Sequence, residues 1–242
     1  MSSYNDVPSL RKFVRTKKNK DVPELERAGS QWIKAVAENR LSYEIDWLGV
    51  PVIQTPEDLV LMQELIFRIK PDIIIETGIA HGGSLVYYAS LMEILGKGKV
   101  VGIDIEIREH NRTVIESHPL YKRIELIEQS STSKEAIREV RKRVQEGSNV
   151  IVCLDSDHTR THVLSELNLY QQFVKLGGYI VVFDTIISEL VKLGVDDKKY
   201  LDNSPREAID EFLKENSNYQ IDKQYNKLHV STNPNGYLKR IK

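Results

Sequence analysis

Four apolar runs in this chain end in an acid, and those acids mark where chemistry can be sought. The first run, IIIET, carries Glu76 and opens the turn Glu76-x-Gly78-x-x-x-Gly82-Gly83-Ser84. KVVGID ends at Asp104. NVIVCLD ends at Asp155, with Asp157 and His158 just beyond, and YIVVFD ends at Asp184, with Thr185 next. The glycine turn has no Lys-Ser or Lys-Thr behind it, so it is not a phosphate loop. It does not read G-x-G-x-x-G either, which argues against a dinucleotide fingerprint. A carboxylate at the strand end would repel a pyrophosphate and attract an ammonium or a sulfonium.

S-Adenosylmethionine carries both of those positive groups and no phosphate. Gly78 would let the backbone approach its methionine part, and Gly82-Gly83 would let the next helix begin without a clash. Asp104 stands 28 residues after Glu76, about one strand–helix–strand step. A carboxylate there can accept hydrogen bonds from both ribose hydroxyls. Either acid alone would be read as a loop cap; together, at the ends of buried strands, they suggest a cofactor cleft. In the second cluster, Asp155, Asp157 and Asp184 would repel one another without a cation. Mg²⁺ takes oxygen ligands and lowers the pKa of a bound hydroxyl. His158 could then take the proton as general base. One of Asp155 and Asp157 is also expected to cap the helix that starts near Thr159. His81, inside the turn, is the other histidine of interest; the remaining four show no ligand spacing.

The elements that must hold these residues are legible. Thr55-Pro56-Glu57-Asp58 starts a helix whose apolar residues Leu59, Leu61, Met62, Leu65, Ile66 and Ile69 face a core, and Pro71 stops it. A helix follows from Ser84 to about Leu95. RIELIE is a further strand, and Thr132-x-x-Glu135 reads as a capping box. A helix is expected from about Arg160 to Leu176, and Ser204-Pro205-Arg206-Glu207 caps a late one. The tail YQIDKQYNKLHVSTNPNGYLKRI reads as a β-ribbon. Continuous apolar strands separated by helices mean a parallel sheet covered on both faces, with ligands at the carboxyl ends of the strands. Ahead of this, residues 1–45 form a helical arm, with Asp21 and Pro23 at the helix start and apolar spacing at Leu25, Ala28, Trp32 and Val36. Residues 46–242 form the main domain.

The 242 residues carry 34 Lys and Arg against 35 Asp and Glu, a net charge of −1. That balance gives no pull toward nucleic acid or an acidic membrane. No run approaches a transmembrane span and no secretory leader is visible, so a cytoplasmic protein is expected. The single cysteine, Cys153, reads as a buried core residue.

The stretches WLGVPVIQTPEDLVLMQELI, PDIIIETGIAHGGSLVYYASLM, VVGIDIEIREHNR, LDSDHTRTHVLSELNLYQQFVKLGGYIVVFDT and DKQYNKLHVSTNPNGYLKRI carry a resemblance. Over roughly four-fifths of its length the chain resembles the cephalosporin hydroxylase/rhamnosyl O-methyltransferase family, whose members look like class I S-adenosylmethionine-dependent methyltransferases. This implies a Rossmann-like α/β fold: a doubly wound, mostly parallel seven-stranded sheet with a C-terminal β-hairpin. The expected cofactor residues are Glu76, Gly78, His81, Gly82, Ser84, Asp104, Ile105, Ser130 and Asp155. The family's metal ligands match Asp157 and Asp184. A third ligand, a Glu, falls on Phe183, leaving Thr185, Asp155 or water to complete the shell. A homo-oligomer is also implied. The resulting expectation is an O-methyltransferase acting on a hydroxyl of a sugar, in a surface glycan or glycosylated small molecule, with His158, Asp157 and Asp184 as catalytic residues. Two alternatives stay open: an NAD-dependent oxidoreductase on the same fold, and a non-catalytic accessory protein that keeps the cofactor pocket. The segment from Ile187 to Asn203 is expected to wall the acceptor.

Overall fold

The computed structural model describes residues 22–242, so Asp21 and the residues before it lie outside the described residues. Helix α1 spans Val22–Glu38 and is followed by a 3-10 turn, Leu41–Glu44. A two-stranded hairpin comes next, β1 Asp46–Trp47 and β2 Val50–Pro51. The main unit then alternates: α2 Pro56–Ile69, β3 Ile73–Thr77, α3 Gly83–Leu95, β4 Lys99–Asp104, α4 Glu109–Ser117, β5 Ile124–Glu128, α5 Lys134–Arg143, β6 Val150–Leu154, α6 Arg160–Tyr170 and β7 Tyr179–Val182. The chain closes with α7 Ile187–Lys192, α8 Pro205–Glu215, β8 Tyr219–Ile221 and β9 Tyr237–Arg240.

Among the described residues the main sheet has seven strands in the order β5-β4-β3-β6-β7-β9-β8. Strands β3 to β7 are parallel, and β9 runs antiparallel to both β7 and β8. Successive strand residues point to opposite faces. Thus Ile74, Val100, Ile151 and Val181 meet Leu61, Met62, Leu65 and Leu85 on one face. Ile75, Val101, Val152 and Ile180 meet Ile137, Leu167, Ile209 and Phe212 on the other. Each central strand is buried on both sides, which is why it reads as an unbroken apolar run. The strand order reverses between β3 and β6, which stay paired up to Thr77 and Leu154, so the connections beyond them lead to opposite faces of the sheet and leave a crevice at the carboxyl ends.

Local details depart from expectation. The buried stripe of α1 is Gly29, Ile33 and Val36, while Leu25 and Trp32 are exposed. Ile33 packs with Ile186 and Leu190, so the partner of α1 is α7, and a Cβ on Gly29 would fall 1.9 Å from the His229 carbonyl oxygen. Packing at Gly29 thus rotates the helix away from its more apolar face. The cap of α5 is Ser133, one residue past Thr132, with its hydroxyl accepting from Ala136 N at 3.0 Å. Helix α6 stops at Tyr170 and passes into a 3-10 turn, Gln171–Phe173. The Ser204 capping box is formed in full. Between β8 and β9 the ribbon is interrupted by residues 222–236, which leave the sheet edge and reach the site.

Candidate functional site

The turn after β3 is built by close backbone approach. Gly78 stands at φ 78°, and a Cβ there would lie 2.1 Å from the Asp155 carbonyl oxygen. A side chain at 78 would therefore push the β3 and β6 loops apart. Its N–H donates to Ile103 O at 2.8 Å. Ile79 N and Glu106 N donate to the two Asp104 carboxylate oxygens at 2.9 and 3.2 Å, tying the turn to the end of β4. Asn111 fixes the turn from α4, donating to Ala80 O at 2.9 Å and lying 3.3 Å from His81 Nδ1. Gly82 caps α3 at φ 87°, and Gly83 packs so tightly on Pro51 that a Cβ would sit 2.1 Å from its carbonyl oxygen.

Glu76 is fully buried beneath this turn. Ser84 Oγ donates to its Oε2 at 2.7 Å, while Oε1 has no hydrogen-bond partner among the described residues. Burial, and next the charge of Asp155, hold the Glu76 carboxyl well above the usual range; the Ser84 hydrogen bond opposes them. Sealed in this way, Glu76 supports the turn from below and does not reach the open space above it.

The crevice has two compartments that share Gly78, Ala80, Asp155 and Ser156. The first, about 260 Å³, is lined by His81, Gly83 and Ser84 of the turn, by His158, Phe183 and Asp184, and by Tyr43 and residues 51–54. The second, about 680 Å³, is lined by Asp104, Ile105, Ser130, Asp157, His162 and Tyr200, among others. Among the expected cofactor residues, Glu76 and Gly82 line neither: Glu76 lies under the floor and Gly82 shapes the helix start. From the segment Ile187 to Asn203, Tyr200 lines the second compartment, and the outer wall of the first is Tyr43 and residues 51–54 instead.

Asp155, shared by the two compartments, meets His158 and Asp184 of the first, and the ligating atoms of the three all lie within 4.8 Å of one another. His158 Nε2 is 3.3 Å from Asp155 Oδ1 and 3.5 Å from Asp184 Oδ2. Burial works against a charged His158, but the Asp155 hydrogen bond and the nearby carboxylates outweigh it and raise the ring to about 9. Burial pushes the Asp184 carboxyl up to about 6, against the pull of His158. Two expected ligands are engaged elsewhere. Asp157 is exposed and its Oδ1 accepts from Thr159 N at 2.8 Å in a turn just ahead of α6; the helix starts at Thr159 without a side-chain cap, so neither aspartate caps it as expected. Thr185 is buried and its hydroxyl donates to Pro234 O at 2.7 Å. The set that meets is therefore Asp155, His158 and Asp184, because the turn onto Thr159 N holds Asp157 aside.

Asp184 stands at φ 53°, a backbone region that non-glycine residues rarely occupy. A strap from the interrupted ribbon holds it there. Asp184 N donates to Asn233 Oδ1 at 2.7 Å, Ile186 N to Thr232 O at 3.2 Å and Val182 N to Gly236 O at 2.9 Å. The strap is in turn pinned by buried Asp58, which accepts from Thr232 N at 2.8 Å, Thr232 Oγ1 at 2.9 Å, Thr55 Oγ1 at 2.8 Å and Ser231 Oγ. Thr55 sits at the cap position of α2, yet its hydroxyl donates to Asp58. At the far end, Ser156 Oγ donates to buried Glu166 at 2.7 Å and lies 3.0 Å from His162 Nε2. Sequence reading missed Asp58, Asn233, His162 and Glu166; the turn residues S-T-N-P-N at 231–235 were the one local signal.

A profile described as rhamnosyl O-methyltransferase/CmcI matches residues 39–241. The chain belongs to this family. A rhamnosyl O-methyltransferase of Mycobacterium bovis (strain BCG / Pasteur 1173P2) is 29% identical over 199 residues, covering 80% of this chain and 77% of that one. A rhamnosyl O-methyltransferase of Mycobacterium leprae (strain TN) is 29% identical over 141 residues, and the match spans 57% of this chain and 59% of that relative's length. Among solved structures, CmcI bound to Mg and SAM aligns at TM-score 0.59 and 17% identity, over 83% of this chain and 78% of that one. An O-methyltransferase from Bacillus cereus with SAH aligns at TM-score 0.53 and 16% identity, over 88% of each chain. At such identities the structures establish a shared fold: the rhamnosyl O-methyltransferase/CmcI chain has the α/β architecture of O-methyltransferases.

Proposed function

We propose that this chain is an S-adenosylmethionine-dependent O-methyltransferase that methylates a hydroxyl of a sugar, such as a rhamnosyl group in a glycan or glycosylated small molecule. One observation carries the reading: the two compartments of the crevice meet at Gly78 and Asp155, beside His158 and Asp184. The adenosyl part fits the larger compartment, its ribose at Asp104. The methionine part fits along the glycine turn, whose floor Glu76 supports from below. The cofactor supplies an electrophilic methyl; the acceptor oxygen bonds to it as the carbon–sulfur bond breaks.

The chain's own residues prepare that oxygen. Asp184 is the group placed to receive a hydroxyl proton; His158, raised to about 9, keeps its own proton near neutral pH and so is not the general base, but holds Asp155 and Asp184 together. The donor set of Asp155, Asp184 and His158 also suits a divalent cation, with two carboxylates and one imidazole on the same side. Mg²⁺ held there would lower the pKa of the acceptor hydroxyl. The exposed Leu25 and Trp32 on α1 support a homo-oligomer in which α1 meets a second copy, to be checked by light scattering. Among the described residues no helix is long and apolar enough to cross a membrane. The cytoplasm is the expected location, and buried Cys153 has no disulfide to gain there.

Calorimetric titration with S-adenosylmethionine, S-adenosylhomocysteine and NAD, each with and without Mg²⁺, tests the cofactor. Transfer of labelled methyl to a rhamnoside tests the reaction. Binding of the adenosyl ligands with methyl transfer supports the enzyme. Binding without transfer to any acceptor favours an accessory role, and binding of NAD alone overturns the reading.

A further inference from the structure

Gln54 has a feature that the methyl-transfer reading leaves unused. It is 6% exposed and lines the first compartment, yet its Nε2 has no hydrogen-bond partner among the described residues. Buried amide donors are paired in folded proteins, so one left unpaired within the wall of a cleft marks a place where a small rotation of the side chain would let a ligand oxygen pair with it. The backbone supports this. Ile53, next to it, stands at φ 43°, a conformation that a β-branched side chain strongly disfavours. Strain of this kind persists where the surroundings over-determine it, and it gathers at ligand clamps. Here the clamping is visible on both sides: Val52 N donates to Ile45 O at 2.9 Å, and Thr55 Oγ1 to Asp58 at 2.8 Å.

Two ligand oxygens could meet that amide, one on the methionine carboxylate and one on the acceptor. The packing of residues 51–55 favours the acceptor. Pro51 abuts Gly83 of the cofactor turn, whereas Thr55 joins through Asp58 to Ser231 and Thr232, and from there to Asn233 and Asp184. Gln54 directly precedes Thr55, the residue from which this chain of hydrogen bonds runs to Asp184. The cofactor carboxylate already has a place at the uncapped start of α3, whose Gly82 provides no side-chain oxygen. Tyr43 is 58% exposed on the same wall and offers an aromatic face to the C–H side of a sugar ring.

We propose that Gln54 is the acceptor-reading residue: its side-chain amide donates to a hydroxyl oxygen adjacent to the one that is methylated, so the acceptor presents a vicinal diol. This rests on the methyltransferase reading above. It makes Gln54 a specificity residue, because an amide left unpaired by a deoxy analogue penalises that analogue.

The test compares wild type with Gln54→Leu, each saturated with S-adenosylhomocysteine. Methyl rhamnopyranoside and its deoxy analogues are titrated by ligand-observed NMR. Wild type should bind the rhamnoside about tenfold tighter than the variant and than one of the deoxy analogues. Affinity for S-adenosylhomocysteine should be unchanged in the variant. Gln54→Met, similar in length, repeats the test should Gln54→Leu fail to fold. Equal rhamnoside affinity in wild type and variant overturns the proposal. A variant that loses S-adenosylhomocysteine affinity overturns it too, and assigns Gln54 to the methionine carboxylate. A wild type that binds S-adenosylhomocysteine but no rhamnoside overturns the diol assignment. Failure of wild type to bind S-adenosylhomocysteine instead brings down the methyltransferase reading itself.

Discussion

Replacing Asn233 with Ala should disable the site without touching it. Asn233 is 1% exposed, and its Oδ1 holds Asp184 N at 2.7 Å. Asp184 adopts φ 53°, and a non-glycine residue in that region costs about 1–2 kcal/mol. Removing the acceptor leaves the Asp184 N–H unpaired, at a further cost of about 1–3 kcal/mol if the backbone stays where it is. The backbone can escape both costs by leaving the left-handed region, and that swings the carboxylate away from His158. A net loss of about 2 kcal/mol lowers Tm by about 4–8 °C for a chain of this length. A displacement of about 1 Å at a reacting group costs on the order of 100-fold in rate. The assay is steady-state methyl transfer alongside calorimetry with S-adenosylhomocysteine, whose Kd should stay within about twofold of wild type if the sites are energetically separate. An Asn233→Ala variant with lowered Tm but full kcat would refute the reasoning, because the strained placement of Asp184 would then serve no chemistry.

Asp184→Ala should abolish turnover while S-adenosylhomocysteine binds almost as before; normal turnover would mean the reacting centre lies elsewhere. Asp104→Ala should raise the cofactor Kd by about tenfold or more, since it removes both the ribose partner and the acceptor of Ile79 N and Glu106 N; an unchanged Kd in calorimetry would sink the ribose assignment. His162 titrates above its ordinary value of 6.5, chiefly through its hydrogen bond to Glu166. A raised folded pKa contributes stability that is fully present below 6.5 and is lost as pH rises through the folded value. Thermal melts of wild type should show that loss on the alkaline side of 6.5, and Glu166→Gln should flatten it; an identical pH slope in both would exclude the pair as its source.

The acids at the strand ends were legible because burial on both faces forces each strand to be a solid apolar run, and the first polar residue after it must fall at the crevice. Gly78 was legible as a required glycine, though the atom that requires it is the Asp155 carbonyl oxygen. The Ser204 box was legible because its partners are three residues apart. What escaped depends on contacts between distant parts of the chain. Asp157 and Asp155 are equivalent in sequence, and the N–H of Thr159 is what holds Asp157 out of the cluster. Asn233 and Asp58 meet the site from 49 and 174 residues away from their partners. The stripe of α1 was misread because apolar spacing favoured Trp32, whereas packing at Gly29 decided the rotation.

The strap also imposes an order of events on synthesis. Strands β3, β4 and β6 can form as they emerge, but β9 lies between β7 and β8, and Asn233 comes just before it. A nascent chain halted short of residue 233 could assemble the glycine turn and the Asp104 end of the crevice while Asp184 still lacked its anchor. Ligand binding and turnover would then mature at different moments of translation.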